Sequence, residues 1–95
     1  MQAFALSDNL NLRLYIAGDT YQSRITIENI KIACSRYREG KCKVEVIDIK
    51  KDPAIAIRDQ IFAIPTLVRV SHGSSHQYIG NLMSVDNVIR LLKKK

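Results

Sequence analysis

The sequence predicts an α/β domain with elements in the order βαβαββα, a four-stranded mixed sheet flanked by helices. Three observations carry this. Apolar residues alternate at Leu10, Leu12, Leu14 and Ile16, the period of a strand, and a long stretch of helical periodicity follows, stopped by Gly40. Residues 46–68 then read strand, turn, helix, turn, strand, punctuated by Asp52-Pro53 and Pro65. Finally, a Gly- and Ser-rich connection over 71–76 joins two short strands ahead of a last amphipathic helix.

The first strand spans 10–16, where Asn11, Arg13 and Tyr15 interleave with the apolar set and leave one face more polar. Gly18-Asp19-Thr20 makes the turn. Asp19 or Thr20 is the helix cap, and Gln22 stands three residues beyond Asp19 as in a capping box. The helix runs to about Glu39, with Ile27, Ile30, Cys34 and Tyr37 on one face. Arg36 and Arg38 suit its C-terminal dipole, and Gly40 tolerates the left-handed stop. The second strand, 42–49, is dense in Val and Ile, as when both faces are covered. Asp52 caps a short helix whose first position is Pro53, where a missing N–H costs nothing. That helix reaches Gln60 or Ile61, because Ile64, preceding a proline, is already extended. The third strand covers 66–70 and the fourth 77–79, an antiparallel hairpin. Gly80-Asn81 is a turn. Ser84 or Asp86 starts the last helix, with Val85, Val88, Ile89 and Leu92 on its apolar face.

The first two strands require a right-handed parallel crossover through the first helix. A proline opening a strand just after a helix, as Pro65 does, resembles the thioredoxin architecture, in which that proline faces a redox dithiol. The resemblance implies the spatial strand order 2-1-3-4. It also implies a cis bond before Pro65, and because cis X-Pro bonds interconvert over tens to hundreds of seconds, Pro65 is a candidate conformational residue. The plainer reading is a locked structural proline. Where the dithiol would stand, the chain has Thr20 and Ser23 at the right spacing with the wrong chemistry. A thiol oxidoreductase needs a thiolate of depressed pKa at a helix N-terminus, so no catalytic residue is expected and the chain reads as a non-enzyme.

Residues 10–95 are expected to form a single domain, with 1–9 a flexible tail. Apolar residues at 46% and charged residues at 25% suit a soluble globular chain, and no apolar run approaches the roughly 18–20 residues needed to span a bilayer. The N-terminus lacks a basic leader with a long apolar centre, so a cytoplasmic location is expected. The net charge of +6 owes half its value to Lys93-Lys94-Lys95, read as a solvated helix end. With no basic recognition helix and no aromatic-interleaved basic strand, no nucleic-acid partner is expected. Cys34 and Cys42, eight apart, fit neither a Cys-x-x-Cys motif nor a zinc site, and read as a small core residue and an incidental one. His72 and His76 fall in a Gly-Ser loop without a nearby carboxylate or thiol, so neither a metal nor a cofactor is expected.

Several motifs in register resemble the KaiB family. Leu14-Tyr15-Ile16-Ala17-Gly18-Asp19-Thr20 is similar to its L-Y-V-A-G-N-T, and Ser23 to its following serine. Val46-Ile47-Asp48-Ile49 with Asp52-Pro53 resembles V-I-D-V…N-P. Asp59-Gln60-Ile61-Phe62-Ala63-Ile64-Pro65-Thr66-Leu67 resembles D-x-I-x-A-T-P-T-L, and Ile79-Gly80-Asn81-Leu82 resembles I-G-D-L. The resemblance implies a non-enzymatic adaptor of the circadian clock or a clock-derived system, binding a KaiC-type ATPase, with KaiA or a histidine kinase as further partners. It implies a homo-oligomer, dimer or tetramer, and fold switching between a resting topology with a rearranged C-terminal half and a thioredoxin-like binding state. A second implication is a stand-alone relative of the kinase's sensor domain, an interaction module for stress or two-component signalling.

By that analogy the partner-binding residues are Arg58, Asp59 and Gln60 at the end of the short helix, the ring-facing surface; Lys43 and Glu45, charged guards on the free edge of the second strand, are the candidate contacts for a further partner. Pro65, Gly80 and Asn81 are the conformational positions. The chain departs from the family at His72-Gly73-Ser74, where typical members have three prolines, and at Leu91-Leu92-Lys93-Lys94, where they have G-L-D-L. Both departures favour a continuous last helix and hence the thioredoxin-like state. Gln60 replaces a family lysine, and Tyr21 a proline.

Overall fold

A computed structural model of the chain describes residues 10–71 and 73–93. Its elements are β1 (Leu10–Ile16), α1 (Tyr21–Arg38), β2 (Cys42–Asp48), α2 (Pro53–Arg58), β3 (Thr66–Ser71), β4 (Ser74–Tyr78) and α3 (Val85–Lys93). They build a four-stranded sheet in the order β2-β1-β3-β4. β1 runs parallel to β2 and antiparallel to β3, and β3 pairs antiparallel with β4. This is the expected thioredoxin-like arrangement. The segment after Tyr78 leads into a helix and not a strand, so the topology is not the rearranged one. The expected tail over 1–9, and His72, lie outside the described residues.

The alternation in β1 splits the interior in two. Leu10, Leu12, Leu14 and Ile16 face α1 and α3 and join Ile30, Ala33, Leu67, Leu82, Val88 and Leu92 in the main core. Leu14, Ile30, Leu67 and Val88 are entirely buried, each contributing roughly 1.5–3 kcal/mol of transfer free energy. Tyr15 points the other way and forms a smaller core with Ile61 and Val68, capped by Ile55 and Ala56 of α2. Asn29, buried on α1, donates from Nδ2 to the carbonyl of Leu82 at 3.1 Å and ties the helix to the connection before α3.

Of the two cap candidates for α1, Thr20 is the one: its Oγ1 accepts the backbone N–H of Ser23 at 3.0 Å, one of the orphan donors of the first turn. Several other local expectations are corrected. Tyr37 is 37% exposed and lies off the core face, with the Lys93 ammonium over its ring at 5.8 Å. The Asp52 side chain makes no capping bond; Pro53 at the first position starts α2. That helix stops at Arg58 because Gln60 turns left-handed (φ 58°), letting Ile61 drop into the core with its N–H on the carbonyl of Ala56. β4 begins at Ser74 and includes His76, placed opposite Arg69. The paired edge of β3 outweighs the low strand propensity of Ser and His. β2 is not covered on both faces: it is a sheet edge, and Val46 is 42% exposed.

Candidate functional site

At the C-terminal end of β1 the chain must turn sharply into α1. Gly18 makes the turn at φ +83°, a conformation that side chains disfavour, and its N–H donates to Asp48 Oδ1 at 2.9 Å. The same oxygen accepts the N–H of Lys50, also at 2.9 Å. These two backbone donors, Gly18 first, hold the Asp48 carboxyl below the usual carboxylate range. The turn delivers Thr20 and Ser23 to a cleft of about 140 Å³ whose opposite wall is Ile64 and Pro65, joined by a cis peptide bond. Both hydroxyls are committed to holding the turn. Thr20 Oγ1 donates to Ser23 Oγ at 3.0 Å, and Ser23 Oγ donates to the carbonyl of Gly18 at 2.8 Å. Where a dithiol would react, two hydroxyls brace a helix cap.

The second face of the sheet carries a different arrangement. In register, Arg13 lies opposite Glu45, and Tyr15 opposite Ile47. Because α2 is only six residues long, it covers the Tyr15 end of this face. The other end opens as a groove of about 500 Å³ lined by Asn11, Arg13, Lys43, Glu45 and Val70. Arg13 Nε sits 3.6 Å from Glu45 Oε1. Tyr15, 1% exposed, donates its hydroxyl to Asp59 Oδ2 at 2.7 Å, and Arg58 Nε donates to Asp59 Oδ1 at 2.9 Å. Arg58 chiefly, and Tyr15 after it, hold the Asp59 carboxyl below its ordinary value. Burial chiefly, with the Asp59 hydrogen bond, raises the Tyr15 hydroxyl.

The residues taken from the family analogy and those taken from the strand edge therefore meet on one face. Glu45 with Arg13, and Asp59 with Arg58, stand at opposite ends of a polar band with Tyr15 between them. Lys43 flanks the band on β2 and is exposed. Gln60 is exposed too, its carbonyl accepting the side-chain amide of Gln77 at 3.0 Å. Beside them, Ile57 is 83% and Phe62 89% exposed. Pro65 lies apart, in the cleft facing Ser23. Gly80 and Asn81 bond within their own connection: the Gly80 carbonyl accepts the N–H of Leu82, and Asn81 Oδ1 that of Met83.

Sequence reasoning passed over Arg13 and Tyr15. Their signal was present: a cation and an aromatic ring two apart on the polar face of an otherwise aliphatic strand. Cys34 is the expected core residue, but Cys42 is not incidental: the two are joined in a disulfide with Cα atoms 6.0 Å apart. Among the described residues no group of three His, Cys, Asp or Glu is placed to hold a metal, and no helix is long and apolar enough to cross a membrane.

Fold and site together define a class: a thioredoxin-like domain whose dithiol position carries helix-capping hydroxyls. Solved structures agree on the fold. The N-terminal domain of Synechococcus elongatus SasA superposes with a TM-score of 0.63 at 21% identity, covering 88% of this chain and 79% of that one. The germline-specific thioredoxin Deadhead of Drosophila melanogaster superposes with a TM-score of 0.69 at 18% identity, covering 93% and 82%. The KaiB domain model matches residues 13–93. The circadian clock oscillator protein KaiB of Gloeothece citriformis is 33% identical over 82% of this chain and 74% of its own length. The chain belongs to the KaiB family.

Proposed function

We propose that this protein is a cytoplasmic, non-enzymatic KaiB-type adaptor that docks on a KaiC-type ATPase through the end of α2. Arg58, Asp59 and Gln60 form the docking surface, with Ile57 and Phe62 as apolar contacts. The β2 edge and its groove, with Lys43 and Glu45, form a second surface for a further protein, a KaiA-type partner or a histidine kinase.

The observation that carries this reading is the exposure of Ile57 and Phe62 beside the Tyr15-braced Asp59–Arg58 pair. Large apolar side chains left in water next to a pre-formed polar geometry are what an interface requires before its partner arrives. Pro65 opens β3 while Gly80 and Asn81 follow β4, so the three bracket the hairpin that a change of topology would have to re-pair.

Co-purification with the KaiC-type ATPase of the same genome tests the reading. The wild-type chain is expected to be retained, and Arg58→Glu together with Phe62→Ser to weaken retention more than tenfold while the fold persists by circular dichroism. Retention unchanged by both substitutions would refute the surface; no retention of the wild type would refute the partner.

The similarity in fold to the SasA domain supports a second reading, a stand-alone sensor-type module in stress or two-component signalling. It predicts capture of a histidine kinase in place of the ATPase.

A further inference from the structure

The only two cysteines of the chain are bonded to each other across the end of α1. Cys34 lies on the buried face of the helix, 4% exposed, inside the main core. Cys42, half-buried, opens the edge strand β2. Between them the chain already turns with care. Glu39 and Gly40 are left-handed at φ 53° and 79°, the Gly40 N–H closes on the carbonyl of Cys34 at 3.1 Å, and the Lys41 N–H closes on that of Arg38 at 2.9 Å. Backbone geometry alone thus brings the helix end and the strand start together. The disulfide adds a covalent hold on the edge strand one residue before Lys43.

We propose that Cys34–Cys42 is an exchangeable redox staple, opened by small thiols and controlling how firmly the start of β2 is held to α1. The two sulfurs differ in access, which sets the course of exchange. The thiolate of a low-molecular-weight thiol such as glutathione attacks Sγ of half-buried Cys42, forms a mixed disulfide there and expels Cys34 as a thiolate. A second small thiolate attacks the small-molecule sulfur of that mixed disulfide, releasing the oxidised small disulfide and the Cys42 thiolate. The protons given up by the two small thiols pass through water to the two protein sulfurs. The net change is one protein disulfide and two small thiols becoming two protein thiols and one small disulfide. The reverse, driven by glutathione disulfide, re-forms the staple, because the turn holds the two Cα atoms 6.0 Å apart, within disulfide reach.

Opening the bond leaves the main core in place, since Cys34 remains a small buried side chain. It frees a strand that, among the described residues, has one hydrogen-bonded neighbour, β1. The proposal goes beyond docking on an ATPase and does not depend on it, as its readouts need the isolated chain alone.

The wild-type chain, refolded with glutathione disulfide, is denatured and treated with iodoacetamide before intact-mass measurement. No adduct is expected, and two adducts after incubation with excess reduced glutathione. Closing so short a loop predicts a melting temperature on the order of 10 °C lower for the reduced form. Amide exchange is expected to quicken first over residues 42–45, and a Cys34→Ala/Cys42→Ala variant to melt with the reduced wild type and ignore glutathione. Two adducts in the refolded, oxidised sample, equal melting of the two forms, or quickened exchange spread evenly over all four strands would each overturn the proposal. If the double variant does not fold, the glutathione titration of the wild type still decides between these outcomes.

Discussion

Replacing Tyr15 by Phe tests the brace under the proposed docking surface. The substitution leaves the ring against Ile61 and Val68 and deletes one group, the hydroxyl that donates to Asp59 Oδ2 at 2.7 Å. A hydrogen bond to a charged acceptor contributes about 1.5–3 kcal/mol. Asp59 keeps its bond to Arg58, and 17% of its side chain is open to water that can replace the phenol. The lower end therefore applies, about 1.5 kcal/mol, a fall of roughly tenfold in the folded-to-unfolded ratio. In a domain of this size that lowers the melting temperature by about 6–12 °C.

Urea unfolding of both proteins across pH separates this hydrogen bond from general loosening. Asp59 has a folded pKa below its unfolded value, so its stabilisation is present above about pH 4 and fades as pH falls through the folded value. Tyr15 has a folded pKa above its unfolded value, so its contribution is present below about pH 10 and fades as pH rises through the folded one. The gap between wild type and Y15F is thus greatest between these limits and narrows at both ends. Equal urea midpoints at pH 7, or a gap unchanged down to pH 2, would refute the reasoning.

Three further outcomes are expected. Asn29→Ala removes the buried amide that reaches the Leu82 carbonyl from α1 and leaves that carbonyl short of a partner; a loss of about 1–3 kcal/mol by urea titration is expected. Gly18→Ala places a Cβ 3.2 Å from Lys50 Cδ and forces a side chain to φ +83°. The flexible lysine can move and the backbone cannot, so a cost of about 1–2 kcal/mol should persist in a Gly18→Ala/Lys50→Ala double variant, and rescue by the second change would place the strain in the contact instead. Leu14→Ala, at a position with no solvent exposure, should cost about 2–5 kcal/mol and lower the thermal midpoint more than any of these polar substitutions.

Much of the fold was legible because local and periodic signals agreed. The alternation over Leu10 to Ile16, the stop at Gly40, the Asp52-Pro53 start and the apolar set Val85, Val88, Ile89 and Leu92 each marked an element near its place. What failed were ends and edges. The stop of α2 two residues short of Gln60 depends on Ile61 reaching the core under Tyr15, a contact 46 positions apart in the chain that no local pattern carries. Three of the five residues of β4 are Ser or His, recruited by β3, which offers an unpaired edge. The docking candidates fall in two separate stretches of the chain, one taken from a family resemblance and one from a strand edge, and nothing in the sequence placed Glu45 and Asp59 on one face.

The amino-acid order alone determined the strand and helix sequence, the parallel pairing of the first two strands through their crossover, and the replacement of a thiol pair by Thr20 and Ser23. These are matters of period, chirality and residue chemistry, written within short windows. Only the tertiary structure decided that Arg13 and Tyr15 join Glu45 and Asp59 along one face, that Ile57 and Phe62 stand in water, and that Cys34 meets Cys42. Such meetings are set by strand register and helix end geometry, which arise when the whole chain packs and depend on residues far apart along it.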